Sequence, residues 1–176
     1  MMMVKRVLFK LISIWLLYPE QSFSTVNWEE IIDDITDIKI KSNLSDFLKF
    51  YRSKPLLDLQ ENYVQTFDFN GHTNLYLTSS KTIDETKRGF YLAELIQTYK
   101  KAGFVINSTE LPDYLPLFLE FASFCDEQLL FDLIKSYKCS IEEKFTSLQE
   151  KNSPYSLVFD ALLRVIDSLL IKEVVT

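Results

Sequence analysis

The sequence predicts an all-α fold, a single-domain bundle of about seven to nine helices. Three observations carry that prediction. Only 3 Gly and 5 Pro occur in 176 residues, so turn-forming positions are scarce. Apolar residues recur at helical spacing in almost every segment, and a strand-like alternation appears once, without a second strand to pair with. A composition of 47% hydrophobic and 25% charged residues argues against disorder, and residues 1–176 are enough to bury one core without metal or disulfide staples.

Each element has a local reason. In Val4 to Leu17, Arg6, Lys10 and Ser13 occupy one narrow stripe and, Lys5 aside, the rest is apolar, as in a helix packed on most sides. Lys5 and Arg6 ahead of an apolar run imitate a signal peptide, but Lys10 interrupts the run, no small-x-small site follows, and the stretch is too short to span a bilayer. It is read as a core helix that Tyr18-Pro19-Glu20 ends. Asn27 with Glu30 resembles a capping box ahead of a second helix carrying Trp28, Ile31, Ile32, Ile35 and Ile38. Leu44, Phe47, Leu48 and Tyr51 form a third, and Pro55 can open a fourth through Leu56, Leu59, Tyr63, Val64 and Phe67.

Asn70-Gly71 marks a turn, and Leu75-Tyr76-Leu77 beyond it is read as a short helix or an extended linker. Asp84 to Ala102 reads as a helix with Phe90, Ala93, Ile96 and Tyr99 inward and Gly103 as its C-terminal cap. Pro112 and Pro116 then bracket a helix start, since first-turn amides have no intrahelical partner. Asp113 is positioned to cap those amides, and Leu115, Phe118, Leu119 and Ala122 make a core stripe. Leu129, Leu130, Leu133, Ile134 and Tyr137 follow. Ser140 with Glu143 can restart a helix, and Ser153-Pro154 opens the last one through Val158, Phe159, Leu162, Leu163, Ile166 and Leu169.

The net charge of -6 disfavours nucleic acid and anionic lipid surfaces, so partners are expected to be neutral or basic. Cys125 and Cys139 are neither a disulfide framework nor a metal ligand set and read as buried or half-buried thiols. His72, the only histidine, sits in a polar turn without companion ligands. Asp33-Asp34-Ile35-Thr36-Asp37 matches the DDxxD pattern with which prenyl-diphosphate synthases hold magnesium, yet its aspartates point away from the apolar face and no second acidic motif opposes them. Phosphate-binding glycine loops and a nucleophile elbow are absent from the sequence. Catalysis therefore has no visible home, and no metal or cofactor is implied. What stands out is the aromatic load of 14 Phe, 9 Tyr and 2 Trp. A helical bundle with an apolar groove and an acidic surface suits the capture of an amphipathic, basic peptide.

Glu110-Leu111-Pro112-Asp113-Tyr114-Leu115-Pro116-Leu117-Phe118-Leu119-Glu120 closely resembles the ELPDxLPLxLE segment of respiratory nitrate reductase assembly chaperones, the delta subunit, within the wider TorD-like group. Leu16-Leu17-Tyr18-Pro19, Tyr63 to Asp68, Arg88-Gly89, and Ser153-Pro154-Tyr155 ahead of Phe159 to Leu163 agree in order and spacing, so the likeness covers nearly the whole chain. It implies a cytoplasmic, all-helical, non-catalytic chaperone that is absent from the finished enzyme. Such a chaperone binds the N-terminal peptide of the catalytic subunit, keeps the immature enzyme open for molybdenum cofactor insertion, and delays membrane docking. Some relatives carry His where this chain has Tyr114, so no role of that histidine is carried over, and others have a tail beyond the position of Thr176.

The expected peptide groove comprises Tyr63, Phe67, Asp68, Glu110, Leu111, Pro112, Asp113, Tyr114, Leu115 and Pro116. Tyr63, Phe67, Tyr114 and Leu115 are expected to meet apolar side chains. Asp68, Glu110 and Asp113 are expected to attract a basic peptide end or to cap helices. The partner is expected to be the catalytic subunit, with no nucleic acid, no stable membrane insertion, and a monomer or weak dimer. Two alternatives stay open: a magnesium-dependent prenyl-diphosphate-type enzyme using Asp33, Asp34 and Asp37, or a helical adaptor for another redox enzyme.

Overall fold

The computed structural model describes residues 2–80, 84–107 and 109–171. Among them eight α-helices follow in order: α1 (Met2–Trp15), α2 (Trp28–Asp33), α3 (Ile38–Arg52), α4 (Leu56–Tyr63), α5 (Arg88–Lys101), α6 (Leu115–Ala122), α7 (Glu127–Glu150) and α8 (Tyr155–Leu170). The all-helical expectation holds; Thr176 lies outside the described residues. The bundle closes on α8, which packs against α1, α3 and α7. Val158, Phe159, Leu162, Val165, Ile166 and Leu169 are at most 1% exposed, so α8 is buried on more than one side. Asn43 in the middle of α3 is buried as well, and its amide donates to Asp160 of α8, which also accepts from Arg164 Nε at 3.0 Å.

The polar stripe of α1 faces α6. Arg6 Nη2 donates to the Cys125 carbonyl at 2.6 Å, Lys10 pairs with Glu120, and Ser13 Oγ donates to the Pro116 carbonyl at 2.8 Å. Partner numbers fall along α6 as they rise along α1, so the two helices run antiparallel. Cys125 lies just past the end of α6, where carbonyls lack intrahelical donors, and Arg6 supplies one. α6 itself is buried almost all round, with Leu115, Pro116, Leu117, Phe118, Leu119, Phe121 and Ala122 inside.

Several elements differ from the sequence expectation. The run from Trp28 to Ile38 is not one helix: the Asp37 carboxylate accepts from the amides of Lys39 and Ile40, both at 2.9 Å, and starts α3 instead. Local capping here outcompetes helix continuation, leaving Ile38 exposed although Ile35 is buried. Asn27 makes no capping bond to the backbone; its amide reaches Glu30 Oε2 at 3.3 Å. On α5, Leu95 and Tyr99 turn inward while Phe90 and Ala93 are exposed. Phe90 and Tyr99 are nine residues apart, and at about 100° per residue they fall on opposite faces. α7 runs 24 residues without the restart expected at Ser140, because Ser140, Ile141, Lys144 and Leu148 continue one buried face.

Two helix ends share one solution. After α5, Gly103 adopts φ 75°, its amide donates to Lys100 O at 3.0 Å, and the Phe104 amide donates to Tyr99 O at 2.9 Å. The Phe104 and Tyr99 rings then meet edge to face at 5.4 Å. After α7, Asn152 takes the same left-handed position, φ 52°, and Ser153 reaches back to Leu148 O at 3.0 Å. These are Schellman turns, which reverse the chain while satisfying the last carbonyls.

The segment before α6 is held from two sides. Leu77 N donates to Asp113 O at 2.9 Å and Leu115 N to Leu75 O at 2.7 Å, an antiparallel bridge between Tyr76 and Tyr114. Leu75-Tyr76-Leu77 is thus the extended linker, running into a 3-10 turn at Leu77–Ser79. Asp113 does not cap α6 as expected. It is fully buried, and its Oδ2 accepts from the Thr78 amide at 3.0 Å and the Thr78 hydroxyl at 2.6 Å. Tyr114 is the N-cap of α6, without a side-chain cap. Thr78 Oγ1 also accepts from Arg88 Nε at 3.1 Å, and Tyr99 OH donates to Pro112 O at 2.8 Å, which ties α5 to the same segment.

Two outcomes follow for stability. Asp113→Ala strands both Thr78 donors in the core and lowers unfolding free energy by roughly 1.5–3 kcal/mol, read from urea transitions. In Asp160→Ala the buried Asn43 amide loses its acceptor, and a loss of about 1–3 kcal/mol is expected by the same measurement; an unchanged midpoint would refute the staple between α3 and α8.

Candidate functional site

A cleft of about 330 Å³ opens where the end of α4, the linker after it and the Glu110–Pro116 segment meet. Tyr18, Tyr63, Phe67, Tyr76 and Tyr114 form its walls, with Asp68 and Glu110 among its lining residues. The sequence builds it locally in three steps. Past Tyr63 the helix widens into a π turn, Val64–Asp68, closed by Phe69 N on Val64 O at 3.2 Å. Such turns carry one extra residue per bond and re-aim side chains; here Phe67 enters the core and Asp68 stays exposed. Tyr63 OH then donates to the Leu16 carbonyl at 3.0 Å, just past the end of α1. Its proton being committed there, the 3.1 Å contact with Tyr114 OH is donated by Tyr114.

Tyr76 OH donates to Glu110 Oε2 at 2.6 Å and its ring lies 5.6 Å from that of Tyr114. Burial, followed by the neighbouring Tyr114, Tyr155 and Asp68, holds the Tyr63 phenol well above its ordinary range. Burial and then Glu110 do the same for Tyr76, and burial dominates for Tyr114. The phenols stay neutral at any physiological pH. Formal charge in the cleft is therefore that of carboxylates, which favours a cation, while the aromatic faces favour an apolar or cationic side chain.

Of the residues expected from sequence, the structure brings Tyr63, Phe67, Asp68, Glu110 and Tyr114 together in this cleft. Leu111, 42% exposed, does not line it. Pro112, Asp113, Leu115 and Pro116 are buried in the fold and shape the cleft from behind rather than facing into it. Tyr18, Asn74 and Tyr76 were not among the expected set. Tyr18 had the signal of a helix-ending Tyr-Pro pair, and Tyr76 that of an alternating aromatic, but neither pattern says where the residue lands. Tyr18, Glu110 and Tyr114 also border a second cleft of about 480 Å³, which runs between the end of α1, the Gln21–Thr25 turn and α3.

The remaining candidates disperse. Asp33 pairs with Lys41 at 2.9 Å and ends α2, while Asp37 caps α3, so the aspartates do not share the single helix face that the DDxxD reading requires. His72 is exposed in its turn. Cys125 is buried, which pushes its thiol up to about 11; Cys139 is exposed, contrary to the expectation of a covered thiol.

Residues 37–161 match the family described as nitrate reductase delta subunit. The chain is 31% identical over 171 residues to the probable nitrate reductase molybdenum cofactor assembly chaperone NarJ of Bacillus subtilis (strain 168), covering 96% of this chain and 93% of that protein. It is 29% identical over 170 residues to the probable nitrate reductase molybdenum cofactor assembly chaperone NarW of Escherichia coli (strain K12), covering 96% and 72%. To the nitrate reductase molybdenum cofactor assembly chaperone NarJ of the same strain it is 30% identical over 122 residues, 69% of this chain and 52% of that one. With most of its length matched by the family and a relative aligned almost end to end, the chain belongs to the nitrate reductase delta subunit family.

Proposed function

We propose that this protein is an assembly chaperone for respiratory nitrate reductase, which holds the N-terminal peptide of the catalytic subunit and keeps the apoenzyme open for molybdenum cofactor insertion before membrane attachment. It acts in the cytoplasm, as a monomer or weak dimer. The observation that carries the proposal is the aromatic cleft bearing Asp68 and Glu110 beside the Glu110–Pro116 segment, in a chain whose relatives are named for this assembly role. An amphipathic peptide lays apolar side chains against Tyr63, Phe67 and Tyr114, and its basic residues meet Asp68 and Glu110. Pro112, Asp113, Leu115 and Pro116 set the position of Tyr114 and Glu110 without touching the peptide. Among the described residues no helix is long and apolar enough to cross a membrane.

Titration calorimetry of the purified chain with the catalytic subunit's N-terminal peptide tests the proposal directly. Tyr114→Ala is expected to weaken binding about tenfold or more, as loss of a buried aromatic contact does. Asp68→Ala is expected to weaken it roughly three- to tenfold at low salt, with the difference shrinking as ionic strength rises. Absence of binding to the unaltered chain would defeat the proposal. In cells, deletion is expected to leave nitrate reductase short of molybdenum and activity, measured by metal content of the purified enzyme; full loading without the chaperone contradicts its assigned role.

A further inference from the structure

A third cleft, of about 480 Å³, lies between α5 and α7 and shares no residue with the two aromatic clefts. Helical periodicity builds its walls. Tyr91, Glu94, Leu95 and Thr98 recur at three- and four-residue steps and make one stripe of α5; Leu129, Asp132, Leu133, Ser136 and Tyr137 make the facing stripe of α7. Leu95 and Leu133 are buried, while Glu94 and Asp132 are exposed, one on each helix. No basic side chain lines the cleft. Among the described residues neither carboxylate joins an ion pair, and the one hydrogen bond to either comes from Gln128 Nε2 to Asp132 Oδ1 at 3.3 Å.

Tyr137 points to a ligand independently of the carboxylates. It is 6% exposed, yet its hydroxyl has no hydrogen-bond partner within the described fold. The unpartnered side-chain polar atoms that are sealed from solvent belong to Trp15, Tyr51, Asn62 and Asp113. The Tyr137 oxygen is not among them, so it keeps accessible surface, and the cleft that Tyr137 lines is where it opens. Burial, and then Glu94, hold this phenol above its ordinary range, so it stays a hydroxyl whose oxygen accepts from an N–H. A deep-set acceptor beside two unpaired carboxylates calls for a positive group with several N–H donors. An ammonium or guanidinium on an apolar stem fits: the stem lies on the leucines and the head meets the carboxylates and the phenol. Tyr91 adds a ring that favours cations. Beside it, Phe90 is 66% exposed with its ring 6.0 Å from that of Tyr91, an apolar contact outside the cleft that a polypeptide covers and a free amine does not.

We propose that the cleft between α5 and α7 binds an arginine or lysine side chain of a partner polypeptide, its charged head between Glu94 and Asp132 and against Tyr137 OH, and an adjoining apolar residue on Phe90. The site stands apart from the aromatic clefts and does not rest on the chaperone function proposed above.

Cys139 lines the same cleft and is exposed, whereas Cys125 is buried, so alkylation of Cys139 by iodoacetamide reports occupancy in the full chain. Protection is the ratio of alkylation rates without and with the probe, acetyl-Leu-Arg-Leu-amide. At low salt, saturating probe is expected to give protection of about threefold or more, which fades as ionic strength rises. Glu94→Gln combined with Asp132→Asn is expected to weaken probe binding about tenfold or more. Asp58→Asn combined with Glu61→Gln, the same charge change on exposed positions of α4, leaves it unaltered. Tyr137→Phe is expected to bind roughly three- to tenfold more weakly with an unchanged Tm, because its hydroxyl bonds nothing within the fold. Phe90→Ser weakens binding of the tripeptide but not of butylguanidine. Absence of protection in the unaltered chain, or equal protection in the Glu94 and Asp132 double variant, overturns the site. Protection by butylguanidine as strong as by the tripeptide assigns the cleft to free cations and overturns the polypeptide occupant. Tyr114→Ala retains full protection, so failure here and failure of the chaperone function are read separately.

Discussion

One buried carboxylate, Asp113, organises the end of the molecule that carries the aromatic cleft. Asp113 Oδ2 accepts from both donors of Thr78, and the main-chain bonds from Leu77 to Asp113 and from Leu115 to Leu75 flank it. Proline lacks an amide, so the Glu110–Pro116 segment has few donors with which to hold itself in place. A buried aspartate gripping the neighbouring linker supplies what the prolines withhold, in a setting where hydrogen bonds to a charged group are worth more than neutral ones. Tyr76 and Tyr114 are set opposite each other by that crossing.

The bundle behind the crossing makes it rigid. α6 is apolar on nearly every side and is gripped by α1 through Arg6, Lys10 and Ser13, while Phe118 meets Tyr137 of α7 at 5.5 Å. From the core, a chain of rings runs outward: Phe47 to Tyr155 at 5.1 Å, Tyr155 to Phe67 at 4.7 Å, Phe67 to Tyr63 at 4.9 Å, and Tyr63 to Tyr18 at 5.5 Å. The cleft walls are therefore the outermost members of the core's own aromatic packing. Side chains with two torsions held by neighbours lose little further entropy on contact with a ligand.

Charge and apolarity are segregated in the same region. Neutral phenols line the interior, and the carboxylates of Glu20, Asp68 and Glu110 supply its formal charge. Carboxylates near aromatic rings give long-range attraction for a basic peptide and leave the short-range selection to shape and apolar contact. Under the proposed function, a peptide lacking either character forfeits one of the two.

The amino-acid sequence alone determined the all-helical class, most helix positions and the importance of the Glu110–Pro116 segment, because periodicity, proline placement and local caps are properties of short stretches. It also contained Tyr63, Phe67, Asp68, Glu110 and Tyr114, the residues that share the first cleft. Tertiary structure alone decided that Asp113 grips Thr78 instead of capping α6, and that Pro112, Leu115 and Pro116 stand behind the cleft, whereas the Asp37 cap that splits an expected helix is local. Tertiary structure likewise joined Tyr18 and Tyr76 to that cleft. The tertiary outcomes depend on partners far along the chain, as in the bond from Thr78 to Asp113, and no spacing rule within a helix or turn encodes which distant donor a carboxylate will meet.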